Sequence, residues 1–275
     1  MIELSKDAIC CVFDAHARPD ERAEDFERFS ALGHFINTAR PGKVVLGGDW
    51  WDFPSLSIYD GSRAVGGAGS NKRHSGKTIL NDLRAGEDAL KATLEAMRAE
   101  NRRHIRARHR DRCYEPEIHF LGGNHEDRLN KIPTHIPELD GMLDSGIVDE
   151  FLHGQGIQTH RFLDNLQLSG INFRHYFESG VRGRAVPITQ ALNKLGRSAV
   201  WGHTHTFGHD TRVAADGQRM HAVCAGCFKP PRRCSEQEWS GIVVLNNPRD
   251  GDLDLLQIST NSLLRNYRLD TQKAA

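Results

Sequence analysis

The chain has 275 residues, with 36 Lys+Arg against 36 Asp+Glu and so a formal net charge of zero. That balance excludes a polycationic nucleic-acid coat and an acidic tail protein, so contact with nucleic acid would need a local basic patch. No apolar run approaches the roughly 18 residues of a membrane span, no leader pattern opens the sequence, and only 6 cysteines are present, so the expected setting is a globular protein of the reducing cytoplasm with no membrane contact.

Residues 8–13 form a short apolar run ending in Asp14-Ala15-His16, which predicts a buried strand emptying into a polar loop. Asp20 is placed to cap a helix carrying Phe26, Phe29, Leu32 and Ile36 at helical spacing, stopped by Pro41-Gly42. Lys43–Leu46 is a second strand ending in Gly47-Gly48-Asp49, completing a βαβ unit. Residues 54–86 carry 6 glycines, with 5 basic against 2 acidic residues, and are read as an inserted basic loop or lid. A helix follows from about Ile79 to Met97, weakened in its interior by Gly86. Glu117–Leu121 is a third strand, ending in Gly122-Gly123-Asn124-His125-Glu126.

The second half predicts shorter elements. Residues 147–152, 160–168 and 171–177 are candidate strands, with Ser169-Gly170 as a turn. Val186–Leu195 reads as a helix, and Ser198–Trp201 as a strand ending in Gly202-His203-Thr204-His205. Residues 207–213, 218–224, 240–246 and 253–259 read as an antiparallel tail, with Asp216-Gly217 as a hairpin turn.

Four strand ends therefore carry Asp, Asn or His, three of them next to glycine: DAH at 14–16, GGDWWD at 47–52, GGNHE at 122–126 and GHTH at 202–205. Side chains at strand ends of an α/β sheet meet in one crevice. Their carboxylate, amide and imidazole donors suit Mn²⁺, Fe²⁺ or Zn²⁺. A lone GD or GH is ordinarily only a turn; the force lies in four such motifs in order, each after an apolar run.

In this series, D-x-H, G-D-x-x-D, G-N-H-E, a lone His and G-H-x-H, the chain resembles the calcineurin-like metallophosphoesterases, from Asp14 to His205. GNHEDRL and the long 54–86 segment are also similar to phosphoesterases carried by phages and prophages. The resemblance implies an α/β fold, a four-layer αββα sandwich of two mixed sheets with helices on both outer faces, in one domain over residues 1–275. It implies two divalent metal ions, with Mn²⁺ favoured and Fe²⁺ or Zn²⁺ as alternatives, and hydrolysis of phosphomono- or diesters by a metal-bridging hydroxide. The first metal would take Asp14, His16, Asp49 and His205. The second would take Asp49, Asn124, His203 and the lone His, for which His175 is favoured over His153 and His160. His125 would be the general acid and Asp52 its partner.

Other signals are weaker. Lys72, Arg73, Lys77 and Arg174 are candidate contacts to substrate phosphate. Gly76-Lys77-Thr78 is a false phosphate loop, since Asn71 stands where the motif needs glycine. Residues 101–112 carry 6 Arg against 1 Asp; this stretch could grip a nucleic-acid backbone but fits better as the charged end of a helix. His221, Cys224, Cys227 and Cys234 are a minor candidate for a separate zinc site. A DNA-repair-type nuclease on the same fold, and a catalytically idle interaction module, are the competing functional readings.

Overall fold

The apolar runs that announce the strands are continuous because each strand is buried on both faces. In a computed structural model that describes residues 3–56, 78–181 and 184–267, β1 (Ile9–Val12), β2 (Lys43–Leu46) and β3 (Glu117–Leu121) lie parallel in the middle of a six-stranded sheet. The twofold alternation of a strand divides their side chains. Ile9, Cys11, Val45 and Leu121 face a second sheet, whereas Cys10, Val12, Val44, Leu46 and Phe120 face helices.

Those helices are α1 (Ala23–Ala39) and α2 (Ile79–Arg106), joined late in the chain by α6 (Thr260–Tyr267). Phe29, Phe35, Leu90, Leu94 and Leu263 pack onto the outer face of the first sheet. Its order is β11-β10-β1-β2-β3-β4, with β4 at Gln158–His160, β10 at Gly241–Arg249 and β11 at Asp252–Ser259. The second sheet has the order β5-β6-β7-β9-β8 and runs through Leu166–Leu168, Ile171–Phe173, Ala199–Trp201, Arg219–Ala225 and Phe207–Val213 respectively. Its inner residues Ile171, Phe173, Val200 and Val223 meet those of the first sheet. Its outer residues Ala199, Trp201 and Ala222 pack with Ala191 and Leu192 of α5 (Ile188–Leu195). Both sheets mix parallel and antiparallel pairs. The layers run helix, sheet, sheet, helix, as expected. No helix among the described residues is long and apolar enough to cross a membrane.

Several boundaries differ from expectation. Residues 147–152 are not a strand but part of α4 (Gly146–Gly154), following α3 (Asp127–His135). The β-branched pair Ile147-Val148 suggests a strand, yet Val148 and Leu152 are one helical turn apart and are the buried residues. Residues 160–168 are two strands in different sheets, separated by a bend at Leu163, whose φ is 67°. The tail is two antiparallel hairpins in different sheets, and β9 also pairs parallel with β7. Helix α1 begins at Ala23 after Arg22 rather than on an Asp20 cap. Of the expected 54–86 loop, Pro54–Leu56 form a short helical turn, Thr78 caps α2 by accepting the Asn81 amide, and Ile79–Gly86 already belong to α2; residues 57–77, with Lys72, Arg73 and Lys77, lie outside the described residues.

Candidate metal centre

The loops after β1, β2, β3 and β7 leave the sheets at the same end and are bonded to one another. The backbone N–H groups of Asp14 and His16 donate to the carbonyls of Gly48 and Asp49 at 3.1 and 2.9 Å. Asp14 Oδ2 accepts the His203 amide at 2.7 Å, and Asp49 Oδ1 accepts the His125 amide at 2.8 Å. Glu126, buried, accepts three amides: Asp49 at 3.0 Å, Trp51 at 3.0 Å and Gly123 at 2.8 Å. The close approach of Asp14 to Gly202 leaves no room for a Cβ there, and Gly48 holds φ at +88°.

Backbone strain concentrates here. Asp14, His16, Asp49, His203 and His205 all have φ between 48° and 70°. A non-glycine residue in that region costs about 1–2 kcal/mol, so it persists only where the surroundings enforce it.

The structure brings together Asp14, His16, Asp49, Asp52, Asn124, His125, His175, His203 and His205. Within this cluster, Asp14–His16–His205, His16–Asp52–His125 and Asp49–His175–His203 each place three donor atoms within 4.8 Å of one another. Asp49 Oδ2 lies between the groups, 3.4 Å from His175 Nε2, 3.7 Å from His125 Nε2 and 4.0 Å from His16 Nε2. His175 is fully buried, with Nε2 2.9 Å from Asn124 Oδ1. The rival histidines are elsewhere: His153 bonds Thr159 and His160 bonds His119. The guanidinium of Arg174 lies over the ring of Phe177, 5.5 Å from its centroid.

The imidazoles are oriented from behind. His16 donates Nδ1–H to Asp52 Oδ1 at 2.7 Å, His175 donates Nδ1–H to the Gly47 carbonyl at 2.9 Å, and His205 donates Nδ1–H to Glu238 Oε1 at 2.5 Å. Each is thereby left with Nε2 turned into the cluster. His16 Nε2 and His205 Nε2 stand 3.1 Å apart. Asp14 Oδ1, wholly buried, has no hydrogen-bond partner; His205 Nε2 is 3.4 Å away and His16 Nε2 3.9 Å. Imidazole nitrogens converging beside an orphaned carboxylate oxygen are what a bound cation satisfies, and outer hydrogen bonds of this kind fix ligand tautomers in metal sites. The donor set therefore fits divalent metal.

Charge follows the same geometry. Burial alone would raise the carboxyl of Asp49, but His125, His175 and His16 hold it well below the usual range. Burial likewise opposes ionisation of Asp14, and His205 and His175 bring it down. His175, although buried, is pushed up to about 10 by Asp49 and Asp14. His16 is pushed down to about 4 by burial and by His125, against the pull of Asp52. Asp52 lies far below the carboxylate range despite its burial, because the imidazoles of His125 and His16 hydrogen-bond it; Arg18 and Arg233 also approach it, at 3.1 and 3.6 Å.

Asp52 serves two histidines, not the one expected: its Oδ1 is 2.7 Å from His16 Nδ1 and 3.2 Å from His125 Nδ1. Glu126, Glu238 and Arg128, like Arg18 and Arg233, carry site geometry that the sequence reading did not assign. Glu126 could have been found as the last letter of GNHE. Glu238 and Arg128 have no local signal.

The basic 101–112 segment is remote from the centre. The last turns of α2 and the turn Arg110–Arg112 sit where Tyr114 Oη donates to the Pro41 carbonyl and Arg40 donates to the Arg112 carbonyl. That is the entry end of β2, opposite the end carrying Asp49. The proposed zinc quartet is also dispersed: His221 pairs with Asp252, and Cys224 faces Thr204.

No protein-family model and no curated protein matches the sequence. Among solved structures the chain is similar to Vps29 of Chaetomium thermophilum, at 10% identity over 91% of this chain and 91% of that chain, with a TM-score of 0.37. A likeness at that level adds nothing to the reading of the site.

Proposed function

We propose that the chain is a metal-dependent phosphoester hydrolase of the calcineurin-like metallophosphoesterase kind, with two divalent cations. The observation that carries this reading is the set of three imidazoles, each anchored through Nδ1, aimed with Asp14 and Asp49 at a common centre. Asp14, His16, Asp49 and His205 would hold one ion, and Asp49, Asn124, His175 and His203 the other. No thiolate enters either set, in keeping with Mn²⁺, Fe²⁺ or Zn²⁺. When bound, such a pair supplies charge that activates water and offsets the phosphoryl oxygens.

The chain's own residues do the remaining work. Asp49 is short, buried and fixed by the His125 amide, so its free oxygen can face both ligand groups. Neutral Asn124 offers an oxygen without further negative charge beside an anionic substrate. His125 sits at the rim of the cluster, its Nδ1–H donated to the Asp52 carbonyl at 2.7 Å and its pKa raised, against the effect of burial, by Asp49 and Asp52. It is thus placed to give a proton to the departing ester oxygen. Arg128, at 2.8 Å from His125 Nε2, is a cation within reach of the same oxygens.

The test is hydrolysis of bis-p-nitrophenyl phosphate and of p-nitrophenyl phosphate with Mn²⁺, abolished by EDTA. His125→Ala should keep metal content and lose rate, whereas Asp49→Ala should lose both. No turnover with any divalent metal would sink the reading.

A further inference from the structure

Outside the histidine cluster, one pair of thiols among the described residues is close enough to react. Cys227 Sγ and Cys234 Sγ lie 3.7 Å apart, seven positions apart in sequence, with no disulfide between them. Cys227 is buried and Cys234 half-buried. The turn Pro231–Arg233 folds the chain back, so that the Cys234 amide donates to the Pro231 carbonyl at 3.1 Å. No third sulfur or imidazole completes a metal site with them among the described residues. The other described cysteines have other surroundings: Cys10 and Cys11 are buried in strand β1, Cys113 is at the far end of α2, and Cys224 faces Thr204.

We propose that Cys227 and Cys234 form a reversible disulfide on exposure to a peroxide, and that its closure perturbs the support of His205. The two sulfurs are unequal. Cys227 donates to the Cys234 sulfur, and Lys229 stands nearby; together they bring Cys234 down to about 7, while the same pairing and burial push Cys227 up. Cys234 is therefore the attacking thiolate and Cys227 the resolving thiol. In the first step the Cys234 thiolate attacks hydrogen peroxide. An S–O bond forms, the O–O bond breaks, and hydroxide leaves and is protonated to water. In the second, the Cys227 sulfur displaces the sulfenic oxygen. The S–S bond forms, the S–O bond breaks, and the departing hydroxide takes the thiol proton. Two thiols and one peroxide give one disulfide and two waters; a dithiol reductant reverses it.

Closure must draw the sulfurs from 3.7 Å to about 2.05 Å. The next residue is tied to the metal centre. The Ser235 amide donates to Glu238 Oε2 at 2.7 Å, Lys229 donates to Glu238 Oε1 at 2.7 Å, and that oxygen accepts from His205 Nδ1. The Trp239 amide, in the same loop, donates to the His205 carbonyl at 2.9 Å. Movement at Cys234 therefore reaches the imidazole through a single side chain.

The experiment treats the full chain with equimolar hydrogen peroxide, blocks free thiols with N-ethylmaleimide and maps peptides without reduction. The expected product is a Cys227–Cys234 linkage, lost on adding dithiothreitol. Cys227→Ser should instead stall at a sulfenic acid on Cys234 that dimedone traps. Peroxide that leaves both thiols free for the blocking reagent, or oxidises Cys113 instead, would overturn the site. Mn²⁺ binding by calorimetry, before and after oxidation, tests the coupling, which rests on the metal-centre reading above. Oxidation should weaken binding about tenfold, and Cys234→Ser should make it insensitive to peroxide. Equal affinity in both forms would overturn the coupling and leave the centre standing; no Mn²⁺ binding by the reduced protein would overturn the centre and the coupling with it, and leave the mapped disulfide standing.

Discussion

Arg128 donates from Nη2 to Nε2 of His125 across 2.8 Å, and from Nη1 to the Asp52 carbonyl at 2.9 Å. His125 donates its Nδ1–H to the same carbonyl, so its Nε2 is the accepting, unprotonated nitrogen in this arrangement. For His125 to act as an acid, the guanidinium must let go. A phosphate oxygen is a better acceptor than an imidazole, because the hydrogen bond becomes charge-assisted. Substrate would therefore draw Arg128 away and free His125 in the same movement. Arg128→Ala should lower kcat/KM by about 100-fold while leaving metal content intact. Arg128→Lys should recover only part of that, since an ammonium cannot fork between two acceptors. Unchanged kinetics in Arg128→Ala would reduce the arginine to a brace for the Asp52 loop.

Glu238 reaches His205 from a different element, 33 positions along the chain, and holds Nδ1 at 2.5 Å. Its carboxyl is lowered to about 2, against the effect of burial, by Lys229, the Ser235 amide and His205, so it is charged at neutral pH. Removing a carboxylate behind a ligand histidine typically costs 10–100-fold in metal affinity. Glu238→Ala should show a loss of that order by calorimetry with Mn²⁺, with little change in thermal midpoint. Glu238→Gln should fall between, because an amide oxygen still accepts the Nδ1–H without the charge. Affinity untouched by both substitutions would mean that the backbone alone orients His205.

His175, although buried, is pushed up to about 10 by the charges of Asp49 and Asp14. The sign follows directly: a raised pKa means the ring is protonated at neutral pH, and metal must displace that proton to bind Nε2. Affinity should therefore rise with pH by about tenfold per unit below that pKa. The apparent binding enthalpy near pH 8 should vary with the ionisation heat of the buffer, corresponding to about one proton released. A flat affinity profile from about pH 6 to pH 9 would show that the free protein holds His175 neutral.

The parts of the centre that were legible in the sequence are those whose chemistry and backbone demands coincide locally. Asp14, Asp49, Asn124 and His203 each follow an apolar strand, and all but Asp14 stand beside a glycine, because loops this close leave no space for a Cβ at Gly202. His175 is preferred over His153 and His160 because it ends a strand ahead of His203, although His153-Gly154 also closes a strand-like run; the structure buries His175 fully beside Asn124. Glu238 and Arg128 were not legible, since their roles come from folding that no local pattern announces. The strand expected at 147–152 failed for a related reason. Four apolar residues in a short window satisfy both periods, and only packing of Val148 and Leu152 against the helical layer decides between them.

Gly86 turns the usual reading of glycine in a helix around. Propensity alone makes Gly86→Ala stabilising by about 1 kcal/mol. Yet a Cβ at Gly86 would fall inside the indole of Trp51, which donates Nε1–H to the Leu83 carbonyl at 2.9 Å, while Trp50 donates to the Gly86 carbonyl at 3.0 Å. Both tryptophans are buried and directly follow Asp49. Overpacking at such a contact costs about 1–3 kcal/mol, so the clash outweighs the propensity gain in most of that range. Gly86→Ala should lower the urea midpoint. Because the Trp51 amide is bonded to Glu126, which also holds the Asp49 amide, it should weaken metal binding too. A raised midpoint with unchanged affinity would show that the indoles shift freely and that α2 does not help to fix the Asp49 loop.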